Sequence, residues 1–356
     1  MLSEQLEVYT TTTAPLRYHY FAKFRANRRG WWSLWLLLLL FSLSLVVELI
    51  ANDRPLLIKY QSSFYFPVLK EYAETDFGGT FPSAANYRDA FLVNLINKDG
   101  WMLWPLIRFS YDTVNYDLPV PAPAPPSSEN WLGTDDQGRD VLARLVYGLR
   151  ISFLFGLMLT IISSVIGVAA GAVQGYFGGW VDLFLQRFIE IWCGLPQLFI
   201  LIIISSIVEP GFWTLLLVLM LFNWAALVGV VRAEFLRTRN LGYVRAARAL
   251  GMRDSRIMFK HILPNAMVAT LASIPFILSG SIVALTALDF LGLGLPPGSA
   301  SLGDLLRQGK DNLQAPWLGI SGFLAVSLIL SLLVLIGESV RDTLDPRQNA
   351  YPKRMA

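Results

Sequence analysis

YVRAARALGMRDSRIMFKHILPN, residues 243–265, is a basic, helix-prone island between two hydrophobic stretches. Residues 243–250 are good helix formers, and Ala246, Ala247 and Ala249 carry little side chain, so such a helix can lie deep in a groove of another protein. Gly251 permits the left-handed conformation that ends a helix and turns the chain. A second short helix over about 254–262, capped by Asp254 and ended by Pro264, follows from the same rules. The spacing predicts helix, turn, helix. It fits equally a docking element for another protein and an amphipathic basic helix lying on anionic lipid.

The surroundings of the island are membrane-like. Hydrophobic residues make up 54% of the 356 and charged ones 15%, well below the roughly 25% charge of a soluble domain. Six runs, 31–47, 151–172, 191–208, 212–231, 266–288 and 317–337, are long enough to cross roughly 30 Å of hydrocarbon at about 1.5 Å per helical residue. Trp31, Trp32, Trp180, Trp213 and Trp317 sit near their ends, where indoles favour the interface. The expectation is an all-α integral membrane protein of six transmembrane helices. Its segments are a cytoplasmic stretch 1–30, a first transmembrane helix within 31–50, an insertion over 51–150, a transmembrane core 151–340 that includes the loop 232–265, and a tail 341–356.

Basic residues in short loops give the orientation. Arg17, Lys23, Arg25, Arg28 and Arg29 precede the first span, and only Arg54 and Lys59 follow closely, so the N-terminus is expected in the cytoplasm. Six crossings return the C-terminus there, with Arg341, Arg347, Lys353 and Arg354. The island then also lies inside. The first span is no cleaved signal peptide, because its basic region is long and no A-x-A-like site follows. The insertion is placed in the periplasm. Its aromatics, among them Tyr60, Phe64, Tyr72, Phe77, Trp101 and Trp104, suggest a small ordered cap, and LPVPAPAPPSS at 118–128 suggests a stiff extended spacer. A partly disordered insertion is the alternative.

Chemistry-bearing motifs are sparse. Cys193 is the sole cysteine and the histidines are His19 and His261, so a cysteine metal cluster or a triad is not expected. No G-x-x-x-x-G-K-[ST] loop offers ATP phosphates a cradle. GLGLPPG at 292–298 reads as a turn leaving the fifth span, since Pro296 and Pro297 lack amide donors. Energy must therefore come from a partner or an ion gradient. Glu48, Asp182, Arg187, Glu190, Asp289 and Glu338 cluster near span ends rather than deep in the helices, which disfavours an ion-coupled secondary transporter. An intramembrane enzyme is disfavoured by the lack of a nucleophile-base pair. Ser163, Gly167, Gly171, Gly175 and Gly179 recur every four residues as a ridge for close helix approach, in a static bundle or at a moving interface. Pro196 and Pro275 are expected to kink the third and fifth spans.

The pattern AA-x-x-x-G, nine residues, then x-x-LP, carried by Ala246, Ala247, Gly251, Leu263 and Pro264, resembles the EAA loop of bacterial ABC importer permeases. In that family the loop forms the coupling helix that seats in a cleft of the cytoplasmic ATPase. Tyr243, Arg245 and His261 belong to the same loop here. Arg245 stands where the family has a glutamate, and His261 where an apolar residue is usual. NWLGTDDQGRDVLARLVYGLRISF at 130–153, LDFLGLGLPPGSASLGDLLRQGKDNLQAPWL at 288–318 and ESVRDTLDP at 338–346 are similar to the dipeptide, oligopeptide and nickel permeases of the C type.

The resemblance implies the type I ABC importer permease fold with a periplasmic insertion after the first helix, in the bacterial inner membrane. It implies a permease subunit, not an enzyme, that moves peptides into the cytoplasm. Its partners would be a second, different permease, two ATP-binding cassette ATPase domains, a periplasmic peptide-binding protein and membrane lipid, with no nucleic acid. No cofactor is expected in this chain, since ATP and Mg would sit on the ATPases. Leu132, Gly133, Thr134, Asp135, Gly138, Arg139 and Asp140 would shape the periplasmic face, although Arg139 and Asp140 could equally anchor the helix entering the second span. The long insertion points to the branch that takes up microcin C.

Overall fold

A computed structural model describes residues 16–344. Residues 1–15 and the tail from 345 onward, both expected in the cytoplasm, lie outside the described residues, as does the side chain of His19. The chain opens with α1 (Leu16–Ala26), α2 (Arg28–Leu45) and the single turn α3 (Val47–Ile50). Most of the expected first span, 31–47, falls in α2, an 18-residue helix that opens on Arg28 and Arg29 and is not among the helices long and apolar enough to cross a membrane.

The segment after α3 adds a small sheet to an otherwise all-helical chain. Strands β1 (Leu57–Tyr60) and β2 (Ser63–Tyr65), helix α4 (Ala90–Asp99) and strand β3 (Gly100–Leu103) build a small folded unit. The sheet is antiparallel in the order β2-β1-β3, with Lys59 opposite both Phe64 and Trp101. Alternation along β1 sends Ile58 and Tyr60 inward onto Phe77, Tyr87, Leu92 and Ile96, which is the period-2 logic of a strand with one buried face. The run 118–128 is no straight strut. It bends at 119–123, and Ala124 exchanges bonds with Thr134, donating its N–H to Oγ1 at 2.8 Å and accepting from the Thr134 N–H at 2.9 Å. These partners hold the run against the body of the protein.

Helix α5 (Val141–Phe177) is the axis of the helical part. It starts ten residues earlier than the hydrophobic run at 151 because Asp140 caps it, its Oδ1 accepting from the Ala143 N–H at 2.7 Å. Next come α6 (Gly179–Cys193), α7 (Gln197–Ile207), α8 (Phe212–Asn223) and α9 (Ala225–Thr238). Then follow α10 (Gly242–Ala249), α11 (Asp254–Ile257), α12 (Leu263–Phe290), α13 (Leu302–Asp311) and α14 (Pro316–Leu344). Among the described residues four helices are long and apolar enough to cross a membrane, Val141–Phe177, Phe212–Thr238, Asp254–Phe290 and Pro316–Leu344. A fifth crossing counts if α6 and α7, bent by 67°, form one span. That bend falls at Gly194 to Pro196, as the proline predicts. Pro275, by contrast, sits inside an unbroken α12. One lost hydrogen bond is tolerated where flanking helices hold the chain.

The glycine ridge has a defined partner. A Cβ on Gly167, Gly171 or Gly175 would come within 2.4, 2.8 and 2.6 Å of the carbonyl oxygens of Trp224, Val228 and Arg232 respectively. Both rows advance by four residues, so α5 and α9 meet along one seam with backbone against backbone. Gly179 lies beyond it, at φ +54° with open space around it. The seam clamps the base of the loop that follows α9.

Candidate functional site

The 239–265 loop folds as two helices on a buried floor. Val244, Ala247, Ile257 and Ile262 point inward and pack with Ala172, Tyr176, Val231, Phe235 and Ala266. The spacing Val244, Ala247 is one helix turn, and it sets which face of α10 stays outside. Tyr243, Arg245, Ala246, Arg248, Ala249 and Leu250 are exposed, Leu250 at 85%. Ala247 therefore serves the floor, while Ala246 and Ala249 face out.

Gly251 ends α10 as the sequence predicts. Its φ is +76°; its N–H donates to the Arg248 carbonyl at 3.0 Å, and the Met252 N–H donates to the Ala247 carbonyl at 3.2 Å. This pair of bonds is the Schellman closure that satisfies the last helix carbonyls. Nothing lies within 4 Å of a Cβ built on Gly251, so the glycine is required by backbone conformation alone.

The second helix departs from expectation. Asp254 is not a cap. It lies inside the first turn of α11, and its carboxylate accepts a short hydrogen bond from the Tyr176 hydroxyl at the end of α5. Nor does Pro264 end the helix. Met258–Ile262 form a π-helical turn that runs directly into α12, with Pro264 in the first turn of α12. The Leu263 N–H bonds to the Met258 carbonyl, five residues back. The wider turn displaces the carbonyl that a proline ring would strike in a regular α-helix.

Other polar groups tie the loop to the spans. Tyr243 Oη accepts from Asn265 Nδ2 at 2.9 Å and donates to the His261 carbonyl at 3.4 Å. Arg245 folds back, its Nε donating to the Asn240 carbonyl at 3.0 Å. Arg239 donates to the carbonyls of Gly175 and Tyr176 at 3.2 and 3.1 Å, closing the C-terminal end of α5, and Arg248 sits 5.3 Å above the Tyr176 ring. Leu263 is half-buried against the floor and Pro264 is exposed. Sequence reasoning missed Leu250 and Phe259, the latter 70% exposed. A leucine immediately before a helix-ending glycine was the available signal.

The 130–144 segment turns inward. Asp135 is fully buried; its Oδ2 pairs with Arg139 Nη2 at 2.7 Å and lies 3.4 Å from Arg144 Nε. Arg144, also fully buried, donates to the Tyr111, Gly298 and Ser299 carbonyls and pairs with Asp304 at 3.1 Å. Asp140 accepts from Asn130 Nδ2 at 2.8 Å. Burial pushes its carboxyl above the usual carboxylate range, against the lowering effect of the hydrogen bonds from Asn130 and from the helix N–H groups. Gly133, at φ +75°, leaves no room for a side chain beside the Ala124 carbonyl and Trp317. Leu132 packs against Val141, Leu305, Ala315 and Leu318. Gly138 has φ +79° and turns the chain before the cap. Thr134, Asp135, Arg139 and Asp140 are buried, so they build this end from within.

A family profile described as "Binding-protein-dependent transport system inner membrane component" matches residues 149–350. The chain belongs to this family of inner-membrane transport components. Its members are permease subunits and not enzymes. The permease is 61% identical over 335 residues to "Inner membrane ABC transporter permease protein YejE" of Escherichia coli (strain K12), covering 94% of this chain and 98% of that one. It is 56% identical over 349 residues to "Peptidoglycan transport system permease protein YejE" of Agrobacterium fabrum, covering 91% of each. "Dipeptide transport system permease protein DppC" of Bacillus subtilis is 35% identical over 225 residues, which cover 63% of this permease and 70% of that protein.

Proposed function

We propose that this permease is one of two different membrane subunits of an ATP-driven ABC importer that carries peptides from the periplasm to the cytoplasm. The reading has six crossings, with α2 as the first and the bent α6–α7 pair as the third, and both termini in the cytoplasm. The insertion of the 51–140 segment is then periplasmic, where a peptide-binding protein delivers substrate. Two ATPase domains hold ATP and Mg beneath the membrane. The loop 239–265 is their contact. Helix α10 presents Ala246, Ala249 and Leu250 to a cleft of the ATPase, and the floor beneath transmits displacement into α5 and α12. Relatives of 61% and 35% identity carry the names of an ABC transporter permease and a dipeptide permease, which supports the peptide substrate. The length of the insertion supports the branch that takes up microcin C-like peptides.

The carrying observation is the loop's division into a buried face and an outward face of small side chains ending in Leu250. Reconstitution tests it: the chain, a second permease, the ATPases and a loaded binding protein in proteoliposomes should accumulate labelled peptide only with hydrolysable ATP. Uptake driven by an ion gradient without ATP would overturn the reading.

A further inference from the structure

The folded unit of the insertion carries a cleft of about 1090 Å3 between α4, the chain after β3 and residues 112–131. Ligand pockets run to roughly 300–1,000 Å3, so the space suits a ligand of several residues. Five aromatic side chains line it, Tyr87, Trp104, Phe109, Tyr116 and Trp131; Tyr87 and Phe109 are buried, while Tyr116 is 89% and Trp131 50% exposed. Open aromatic faces grouped in one cleft offer a stacking surface to a ligand.

Charge in the cleft is lopsided. Five carboxylates line it against two guanidiniums, although the whole chain carries a formal charge of +3. Both arginines are already engaged with rings. Arg88 lies 4.2 Å above Phe109 and donates to the Arg108 carbonyl at 3.4 Å, and Arg108 lies 5.5 Å from Trp104. Two of the acids are also engaged: Asp53 accepts from Thr113 at 3.2 Å, and Asp89 caps α4. The other three, Asp112, Asp117 and Glu129, make neither an ion pair nor a side-chain hydrogen bond among the described residues. Unpaired carboxylates sharing a cleft with open aromatic faces form a surface complementary to ammonium or guanidinium groups.

We propose that this cleft binds short basic peptides, with Asp112, Asp117 and Glu129 taking lysine or arginine head groups and Trp131 and Tyr116 receiving the side-chain stems or cationic faces. The site lies on the insertion, apart from the 239–265 loop. It rests on the importer reading only for its periplasmic side.

The test uses the full chain in uncharged phosphatidylcholine nanodiscs, titrated with a fluorescent tetralysine amide. A tetraserine amide should bind at least tenfold more weakly. The combined variant Asp112→Asn, Asp117→Asn, Glu129→Gln should weaken tetralysine at least tenfold and flatten its salt dependence, because screened Coulomb attraction is what it removes. All three positions are exposed, so the thermal midpoint should not move. Trp131→Ala should weaken binding several-fold while leaving the salt dependence intact. Equal binding of tetraserine and tetralysine, or unchanged binding by the triple variant, would overturn the proposal. Uptake of an uncharged peptide by the reconstituted complex without tetralysine binding at the cleft would sink this proposal alone. Cleft binding without peptide uptake of any kind would sink the importer reading alone.

Discussion

The 239–265 loop and the 130–144 segment look alike in sequence: each is polar, glycine-containing and set at the end of a long apolar helix. In the fold they are opposites. The loop packs Val244, Ile257 and Ile262 below and leaves Leu250, Phe259, Arg245, Arg248, Arg253 and Arg256 outside. The 130–144 segment draws its charges inward, with Asp135 and Arg144 fully buried: Asp135 pairs locally with Arg139, and Arg144 reaches distant carbonyls and Asp304. Charge in a loop can thus stay solvated and open to a partner, or be buried among bonding groups that specify one packing.

The largest expected effect breaks the buried side of this contrast. Asp135→Ala strands Arg139 and Arg144 without their carboxylate and should cost about 3–5 kcal/mol, the range for half of a buried pair. Loss of a cooperative thermal transition in detergent is the expected reading, and a midpoint near wild type would show that the segment is not internal. A middle effect belongs to Gly251→Leu. Its open surroundings confine the cost to the positive φ, about 1–2 kcal/mol, so insertion should survive while transport per ATP hydrolysed falls. Normal peptide uptake would refute the role of the turn. The smallest effect is Arg245→Ala. Its guanidinium is folded onto Asn240 at an exposed site, so stability should change by less than about 0.5 kcal/mol and transport should stay near wild type. A large transport defect would make Arg245 a direct contact in place of the missing glutamate.

Much of the loop was legible because its determinants are local. Helix formers at 243–250 and a glycine at 251 suffice to give α10 and its turn. The continuation into α12 was hidden, since Pro264 reads as a stop and only the π turn at 258–262 lets it begin the next helix. Pro196 and Pro275 carry the same local rule and end differently, one at a 67° bend and the other inside a continuous helix, because flanking helices decide whether a lost bond becomes a break. The burial of Asp135 had no local signal. Arg139 is a local partner four residues on, but Arg144 ties the cluster to Ser299 and Asp304, up to 160 residues away in sequence, and no spacing rule joins these. The sheet was concealed for a related reason: β1 and β2 are very short, and β3 joins β1 only across the 61–99 stretch, which includes a helix.

The claim that the outward face of α10 is a protein contact and not a lipid-lying surface can be tested at one atom. In a Cys193→Ser background, Leu250→Cys is treated with a membrane-impermeant maleimide in inside-out vesicles, with and without the ATPase subunits. Fast labelling without the ATPase and strong protection with it is the predicted result. Slow labelling in both cases, as for a side chain buried in lipid, or equal rates with and without the ATPase, would contradict the account.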